Sequence, residues 1–189
     1  GLTQAQRRLG DRYFLGRGTP INDERAAYYL ERAIEQGQWG AAVQLGLMKK
    51  QGRAGPVDDA VACALFRRAA DKAFYRGMFF LSECYWTGKG VARDLTRAQD
   101  YLNQTLQATE FVKRRFANVP LDALSPEDRG EFELSGTVHA VAQKALEEIR
   151  TGLARDFVVS REGLPPAPAD EVAKLRARSE EHTSELQSR

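Results

Sequence analysis

A period of 36 residues constrains this chain more than any other feature of its sequence. A shift by that period aligns Leu9, Leu45 and Leu81. The same shift aligns further sets, namely Gly16, Gly52 and Gly88; Asn22, Asp58 and Asp94; Ala26, Ala62 and Ala98; and Tyr29, Leu65 and Tyr101. Repeats of this length stack into a solenoid, because one unit alone cannot bury its apolar face. The period predicts three such units at about 1–36, 37–72 and 73–109, here called copies 1, 2 and 3.

Each copy reads as two helices joined by a loop that contains glycine. In copy 1, Ala5, Leu9 and Tyr13 recur every four residues, which places them on one helical face. Gly16 ends that helix, and Asn22 stands where the N-cap of the second helix is needed. The pattern predicts an all-α fold with helices near 3–16, 22–36, 38–51, 58–73, 75–88 and 94–116.

Beyond residue 109 the repeat pattern fades, but helical signals continue. Ser125 and Pro126, followed by two acidic residues, are typical of a helix start. Apolar residues from Val138 to Ile149 then form one stripe. We expect residues 110–155 to form helices that cap the exposed end of copy 3.

The two ends of the chain differ from its middle. Residues 156–177 are rich in Pro and Ala and predict a linker followed by a short helix. Residues 178–189 resemble the in-frame translation of a sequencing-library adaptor, so we predict that this tail is disordered and foreign to the fold. At the other end, Gly1 aligns with Gly37, the glycine of the turn between copies. We therefore expect a fragment of a longer array whose native N-terminus is missing.

Composition and charge argue against several classes of function. The 28 basic and 26 acidic residues give a net charge of +2, too balanced for an electrostatically driven nucleic-acid binder. No apolar run approaches the roughly 20 residues of a transmembrane helix. Two cysteines and two histidines supply neither a four-thiolate zinc site nor a recognisable catalytic motif. The sequence predicts no enzymatic activity, no cofactor, no metal site, no membrane span and no nucleic-acid partner.

The repeated residues resemble the Sel1-like repeat family, a relative of the tetratricopeptide repeats. The resemblance covers over half of the chain and implies an α/α superhelical solenoid that binds other proteins. It also implies a bacterial adaptor, and it leaves the compartment open between the periplasm or envelope and the cytoplasm. Copy 2 departs from the family pattern, with Lys49 in a tyrosine position. Copy 1 matches the pattern at Ala5, Leu9, Gly10, Tyr13, Gly16, Gly18, Ala26, Tyr29, Ala33 and Gly37.

Positions that differ between the copies are candidates for a partner site. They lie between the apolar positions of each first helix, and in related solenoids the first helices line the concave face. The mixture of Arg, Met and Phe suits protein recognition, where such residues are enriched. Simple drift at solvent positions is the alternative reading. The candidates are Arg8, Asp11, Arg12, Gln44, Leu47, Met48, Gln51, Phe80, Glu83 and Thr87.

The resemblance also bears on the two cysteines. Cys63 and Cys84 lie at similar distances from a predicted turn between two antiparallel helices. Cysteine-rich members of the family pair helices by disulfides, which need an oxidising compartment. The sequence leaves open whether these two residues form a disulfide or are ordinary small buried residues.

Together these observations predict a non-catalytic scaffold that binds a protein or peptide on its concave face. Rigid stacked helices would lose little ordering entropy on binding. One alternative is a structural spacer or a regulatory arm of a larger envelope or signalling protein. Another is a β-lactamase-like enzyme of the cysteine-rich repeat type, but the chain lacks that cysteine density and the serine–lysine motif.

Overall fold

The computed structural model describes residues 2–151, and every regular element within them is helical. The bounds of the six repeat helices agree with the predicted ones to within three residues. The predicted segments at 156–177 and 178–189, and the predicted cap beyond residue 151, lie outside the described residues. The elements are α1 (Leu2–Leu15), α2 (Asp23–Glu35), α3 (Trp39–Lys50), α4 (Asp59–Ala70), α5 (Tyr75–Thr87), α6 (Leu95–Phe116), a 3₁₀ turn (Leu121–Ala123) and α7 (Pro126–Arg150).

Each second helix begins at an N-cap that recurs with the repeat. The side chains of Asn22, Asp58 and Asp94 accept hydrogen bonds of 2.9, 2.9 and 3.0 Å from the backbone N–H three residues further on. Each cap satisfies a backbone donor that the helix itself leaves unpaired. The second helices therefore begin where local side-chain chemistry dictates.

The two helices of a copy cross where one of them carries a very small residue. A Cβ atom added to Gly10 of α1 would lie 2.9 Å from Leu30 Cγ of α2. A Cβ atom added to Gly46 of α3 would overlap the ring of Phe66 of α4 in the same way. Leu30 and Phe66 are both completely buried. Close crossing at glycine thus seals the largest apolar side chains from water, which is the main favourable contribution to folding.

Among helices that are not consecutive along the chain, substantial contacts occur on one side of the array. Helix α3 contacts α5, and α5 contacts α7, whereas α2, α4 and α6 make no comparable contacts with one another within the described residues. We call the surface formed by the first helices the inner face.

Two interlocks join neighbouring copies. In the loop after α3, the Arg53 guanidinium bonds to the Asp23 carboxylate at the start of α2, with Nε–Oδ1 of 2.9 Å, and donates to Phe14 O at 3.1 Å. Cys63 of α4 and Cys84 of α5 form a disulfide with a Cα–Cα distance of 6.1 Å. The first interlock ties copy 2 to copy 1, and the second ties copy 2 to copy 3.

Helix α7 caps copy 3 from the position that the first helix of another copy would take. It runs antiparallel to α6, since the rings of Phe116 and Phe132 meet at 6.2 Å and Thr109 Oγ1 lies 2.8 Å from His139 Nδ1. It also touches α5. Its buried residues include much of the predicted stripe and are Ser135, Val138, Ala142, Ala145, Leu146 and Ile149. These findings confirm the predicted solenoid with a C-terminal helical cap.

Candidate functional site

Six of the ten predicted candidates share the inner face. Residues seven apart on a helix are two turns apart and point the same way. Neighbouring first helices meet through such positions, because Asp11 of α1 lies beside Gln44 of α3, and Glu83 of α5 is paired with Lys50 of α3. The six residues are Asp11, Gln44, Leu47, Gln51, Glu83 and Thr87.

The prediction was wrong for Met48 and Phe80, which belong to the core. Met48 is completely buried, and Phe80 is 3% exposed with its ring stacked on Phe66 at 5.2 Å. The physical reason is that a first helix has several neighbours. It packs against the second helix of its own copy, that of the preceding copy and the next first helix. Fewer of its side chains are exposed to solvent than would be expected for a helix that buries one apolar stripe alone.

Arg8 and Arg12 are exposed, but each has a partner of its own. Arg12 Nε donates to Arg17 O at 3.1 Å and so closes the loop after α1. Arg8 Nη2 lies 2.5 Å from Glu127 Oε1 at the start of α7, 119 residues further along the chain. Arg12 therefore serves the loop, whereas Arg8 joins the first and last described helices at the edge of the inner face.

Charges of both signs meet where α1, α3 and α5 come together. Arg7 and Asp11 form an ion pair of 3.1 Å on α1. Burial raises the pKa of Asp11, although the charge of Arg7 opposes the rise. Burial also lowers the pKa of Arg76 on α5, against the influence of Tyr75 and Glu131.

Sequence reasoning missed Arg76 and Glu131. Copies 1 and 2 carry Gln4 and Gly40 where copy 3 has Arg76, so the repeat comparison offers no hint there. Glu131 belongs to α7, where the period has faded. A usable signal was the spacing between Arg76 and Glu83, which are two helical turns apart on one side of α5.

The other end of the inner face holds a largely buried ion pair. Lys50 Nζ lies 2.6 Å from Glu83 Oε1, with 22% and 10% of the two side chains exposed. The sequence analysis named Glu83 but missed Lys50, whose equivalents in the other copies are Phe14 and Trp86, both buried. The sequence contains a signal for Lys50, because a lysine stands there at a repeat position that is aromatic in the other two copies.

Several buried polar atoms of the inner face have no hydrogen-bond partner within the described residues. They include Gln51 Oε1 on α3 and both Arg76 Nε and Glu83 Oε2 on α5. Gln44 lies beside the Asp11 carboxylate, and a side-chain hydrogen bond from its amide works against the rise in the pKa of Asp11. Buried polar atoms are nearly always paired in folded proteins, and leaving one unpaired costs about 1–3 kcal/mol. Buried polar atoms that lack a protein partner are satisfied by ordered water, by an ion or by a bound molecule.

Two further classes of site are absent from residues 2–151. No described helix combines the length and hydrophobicity that a membrane crossing requires. Nowhere in that range do three or more His, Cys, Asp or Glu side chains gather in a way that would hold a metal ion.

Two solved structures share this architecture. One is a Sel1 repeat protein from Oxalobacter formigenes, which is 32% identical with a TM-score of 0.52, over 61% of this chain and 88% of that chain. The other is c5321, a protective antigen present in uropathogenic Escherichia coli strains that displays an SLR fold. It is 22% identical with a TM-score of 0.55, over 85% of this chain and only 36% of its own length. No curated protein matches the chain.

The family itself follows from the sequence of the repeats. The pattern of the Sel1 repeat matches residues 3–38, 39–74 and 76–107, which together make up more than half of the chain. Each matched range contains a first helix and most or all of the second helix that follows it. Proteins built from such repeats are typically protein-interaction scaffolds. The chain belongs to the Sel1 repeat family.

Proposed function

We propose that this chain is a non-catalytic scaffold that binds an extended segment of a partner protein along its inner face. The observation that carries the proposal is the row of buried polar atoms without partners. The row contains a donor, Arg76 Nε, and two acceptors, Gln51 Oε1 and Glu83 Oε2. A peptide main chain offers one N–H and one C=O per residue, so it complements a surface that presents both kinds of group. A nucleic acid would instead favour an excess of cations.

The way the first helices are held also favours a binding role. The Arg53 interlock and the Cys63–Cys84 disulfide fix copy 2 to both of its neighbours. A surface that is already ordered before binding loses less conformational entropy when a partner arrives. The half-buried side chain of Leu47 adds apolar area between the polar groups.

The proposed contact residues are the six candidates on the inner face together with Arg76. Arg8 lies at the edge of the same surface, on the ion pair with Glu127. Met48 and Phe80 are left out because they are buried, and Arg12 because its guanidinium bonds to the loop after α1.

A peptide selection tests the proposal. The full 189-residue chain is immobilised and exposed to a phage-displayed library of random peptides, and enriched peptides are synthesised and titrated by fluorescence anisotropy. We expect a Gln44→Ala/Gln51→Ala variant to bind them roughly tenfold more weakly, since buried hydrogen bonds to the peptide are lost. Gln104→Ala, at an exposed position of α6, is the matched control and should bind as the unmodified chain does.

Thermal unfolding of each variant separates a binding effect from a folding effect. The proposal predicts weaker peptide binding at nearly unchanged melting temperature. If no peptide is enriched over a surface without the chain, the structural-spacer alternative is favoured. If peptides bind but the inner-face and α6 variants behave alike, the binding surface lies elsewhere.

A further inference from the structure

We infer that Glu83 is the anchor for a basic side chain of the partner, a lysine or arginine, and that Lys50 takes the place of that cation in the free chain. The inference rests on the proposed function, because it concerns the chemistry of the segment bound on the inner face. It assigns a specific partner group to one residue of that face.

Glu83 has hydrogen-bonding capacity that the chain itself does not use. One carboxylate oxygen is bonded to Lys50 Nζ, and the other, Oε2, is buried with no partner within the described residues. An ionised carboxylate accepts several hydrogen bonds, and arginine can donate to both of its oxygens at once. Only 10% of the side chain is exposed, so bulk water has little access to the carboxylate. Glu83 is therefore equipped for a stronger cationic partner than it has.

Lys50 is the replaceable member of the pair. Its side chain is more exposed than that of Glu83, and its flexible stem and strongly hydrated ammonium allow it to turn into solvent. The fold does not require a cation at this position, since Phe14 and Trp86 are buried at the equivalent positions of copies 1 and 3. The ammonium of Lys50 keeps the buried carboxylate paired until a partner arrives, which avoids the large cost of an unpaired buried charge.

The surroundings of Glu83 Oε2 also favour a donor. Gln51, the C-cap residue of α3 directly after Lys50, carries a second buried acceptor, Oε1, without a partner in the described part of the chain. The C-terminal ends of α3 and α5 meet here, and helix C-termini carry partial negative charge. A lysine or arginine of the partner would therefore meet acceptors on both first helices.

Parallel peptide selections test this inference. The library used above is selected on the unmodified chain, on Glu83→Gln and on Lys50→Met, and the enriched sequences are compared for lysine and arginine at each position. Glu147→Gln and Lys144→Met, at exposed positions of α7, are matched controls for the two charge changes. The best peptide from the unmodified chain is then synthesised in two forms, with its dominant basic residue and with norleucine in its place.

The inference predicts how the affinities of the basic and norleucine peptides differ from each other and how each variant changes that difference. On the unmodified chain the basic peptide binds roughly tenfold better than the norleucine peptide, and on Glu83→Gln this advantage disappears. On Lys50→Met the basic peptide binds severalfold tighter than on the unmodified chain, because its internal competitor is gone. The norleucine peptide gains nothing from Lys50→Met, and the two α7 controls change neither peptide.

The outcomes distinguish this inference from the function on which it rests. Failure to enrich any peptide contradicts the proposed function itself. Peptides that bind without a basic preference, or keep that preference on Glu83→Gln, contradict the role of Glu83 alone. If Glu83→Gln does not fold, the Lys50→Met variant provides the test. The inference is then overturned if the basic peptide binds Lys50→Met as tightly as the unmodified chain, or more weakly.

Discussion

Copy 2 is built differently from copies 1 and 3 at the junction of its two helices. The other two copies join their helices through a stacked tyrosine pair, Tyr13 with Tyr29 at 5.7 Å and Tyr85 with Tyr101 at 5.8 Å. Copy 2 has Lys49 and Leu65 at these positions. The junction of copy 2 therefore lacks the aromatic contact that the family pattern provides twice elsewhere in the same chain.

The turns that follow the two helices of copy 2 each lack a glycine that the turns following the helices of copy 1 contain. Ala54, after α3, and Ala73, after α4, both have φ of +56°, in the left-handed region, and the equivalent positions after α1 and α2 are Gly18 and Gly37. A residue with a Cβ atom costs about 1–2 kcal/mol in that conformation. The middle copy thus carries local strain that its neighbour avoids.

Two contacts to the neighbouring copies compensate for these losses. The Arg53 interlock reaches copy 1, and the disulfide reaches copy 3. In repeat proteins the stability of one unit depends strongly on its interfaces with the next. An internal copy can therefore lose its own signature residues when both neighbours hold it, and four sets of substitutions test this.

The largest effect is expected from Phe66→Ala. Phe66 is completely buried against Gly46, and its ring stacks on Phe80, so truncation leaves a cavity where copy 2 has no tyrosine stack. We expect a loss of about 3–5 kcal/mol of unfolding free energy, measured by urea denaturation. Val61→Ala, at an exposed position of the same helix, is the control. Equal losses in the two variants would show that this ring does not hold copy 2 together.

Removal of the disulfide should have the next largest effect. The bond closes a loop with a sequence separation of 21, and replacing both Cys63 and Cys84 by Ser should cost about 3 kcal/mol. The unmodified chain in reductant should approach the urea midpoint of that double variant. A double variant as stable as the oxidised chain would mean that packing alone fixes copy 2 to copy 3.

The tyrosine pair of copy 3 should show a measurable coupling. A double-mutant cycle of Tyr85→Leu and Tyr101→Leu should give about 0.5–1.5 kcal/mol of interaction energy, because stacked rings gain more than their buried area. The matched cycle in copy 2, Lys49→Leu with Leu65→Ala, should be additive within error. Similar coupling in both cycles would remove the contrast between the copies.

The smallest effect is expected where strain is relieved. Ala73→Gly should raise the stability of the chain by about 0.5 kcal/mol, since the relief of a left-handed alanine exceeds the extra entropy of glycine in the unfolded state. The reciprocal change at the turn after α2, Gly37→Ala, should lower stability instead, because Gly37 also has a positive φ. Melting temperatures of the two variants measure both signs, and a destabilised Ala73→Gly would refute the strain argument.

Local chemistry made much of this fold predictable. Two kinds of signal act within a few residues and can be read from the printed sequence. They are the glycines that follow the first helices and the N-caps of the second helices, namely Asn22, Asp58 and Asp94. The 36-residue period then places the same helix pair three times. Helix bounds, the all-α class and the stacking of copies follow from these two features alone.

Long-range packing determines which side chains lie on the inner face. The sequence could not tell Met48 and Phe80, which pack in the apolar core, from Gln44 and Glu83, which meet a neighbouring first helix. Exposure on a first helix depends on neighbours that are distant in the chain, and no local pattern encodes their positions. The sequence also left the Cys63–Cys84 bond open, since a disulfide requires two Cα atoms to be brought within bonding range.

The repeating unit, its helices and their caps could thus be read from the sequence, because each depends on contacts within one or two turns. The pairing of Lys50 with Glu83 and of Arg8 with Glu127 became visible in the folded chain alone. The two residues of each pair are 33 and 119 positions apart along the chain and lie on different helices. Long-range packing fixes them, and the charged chemistry of the inner face depends on that packing.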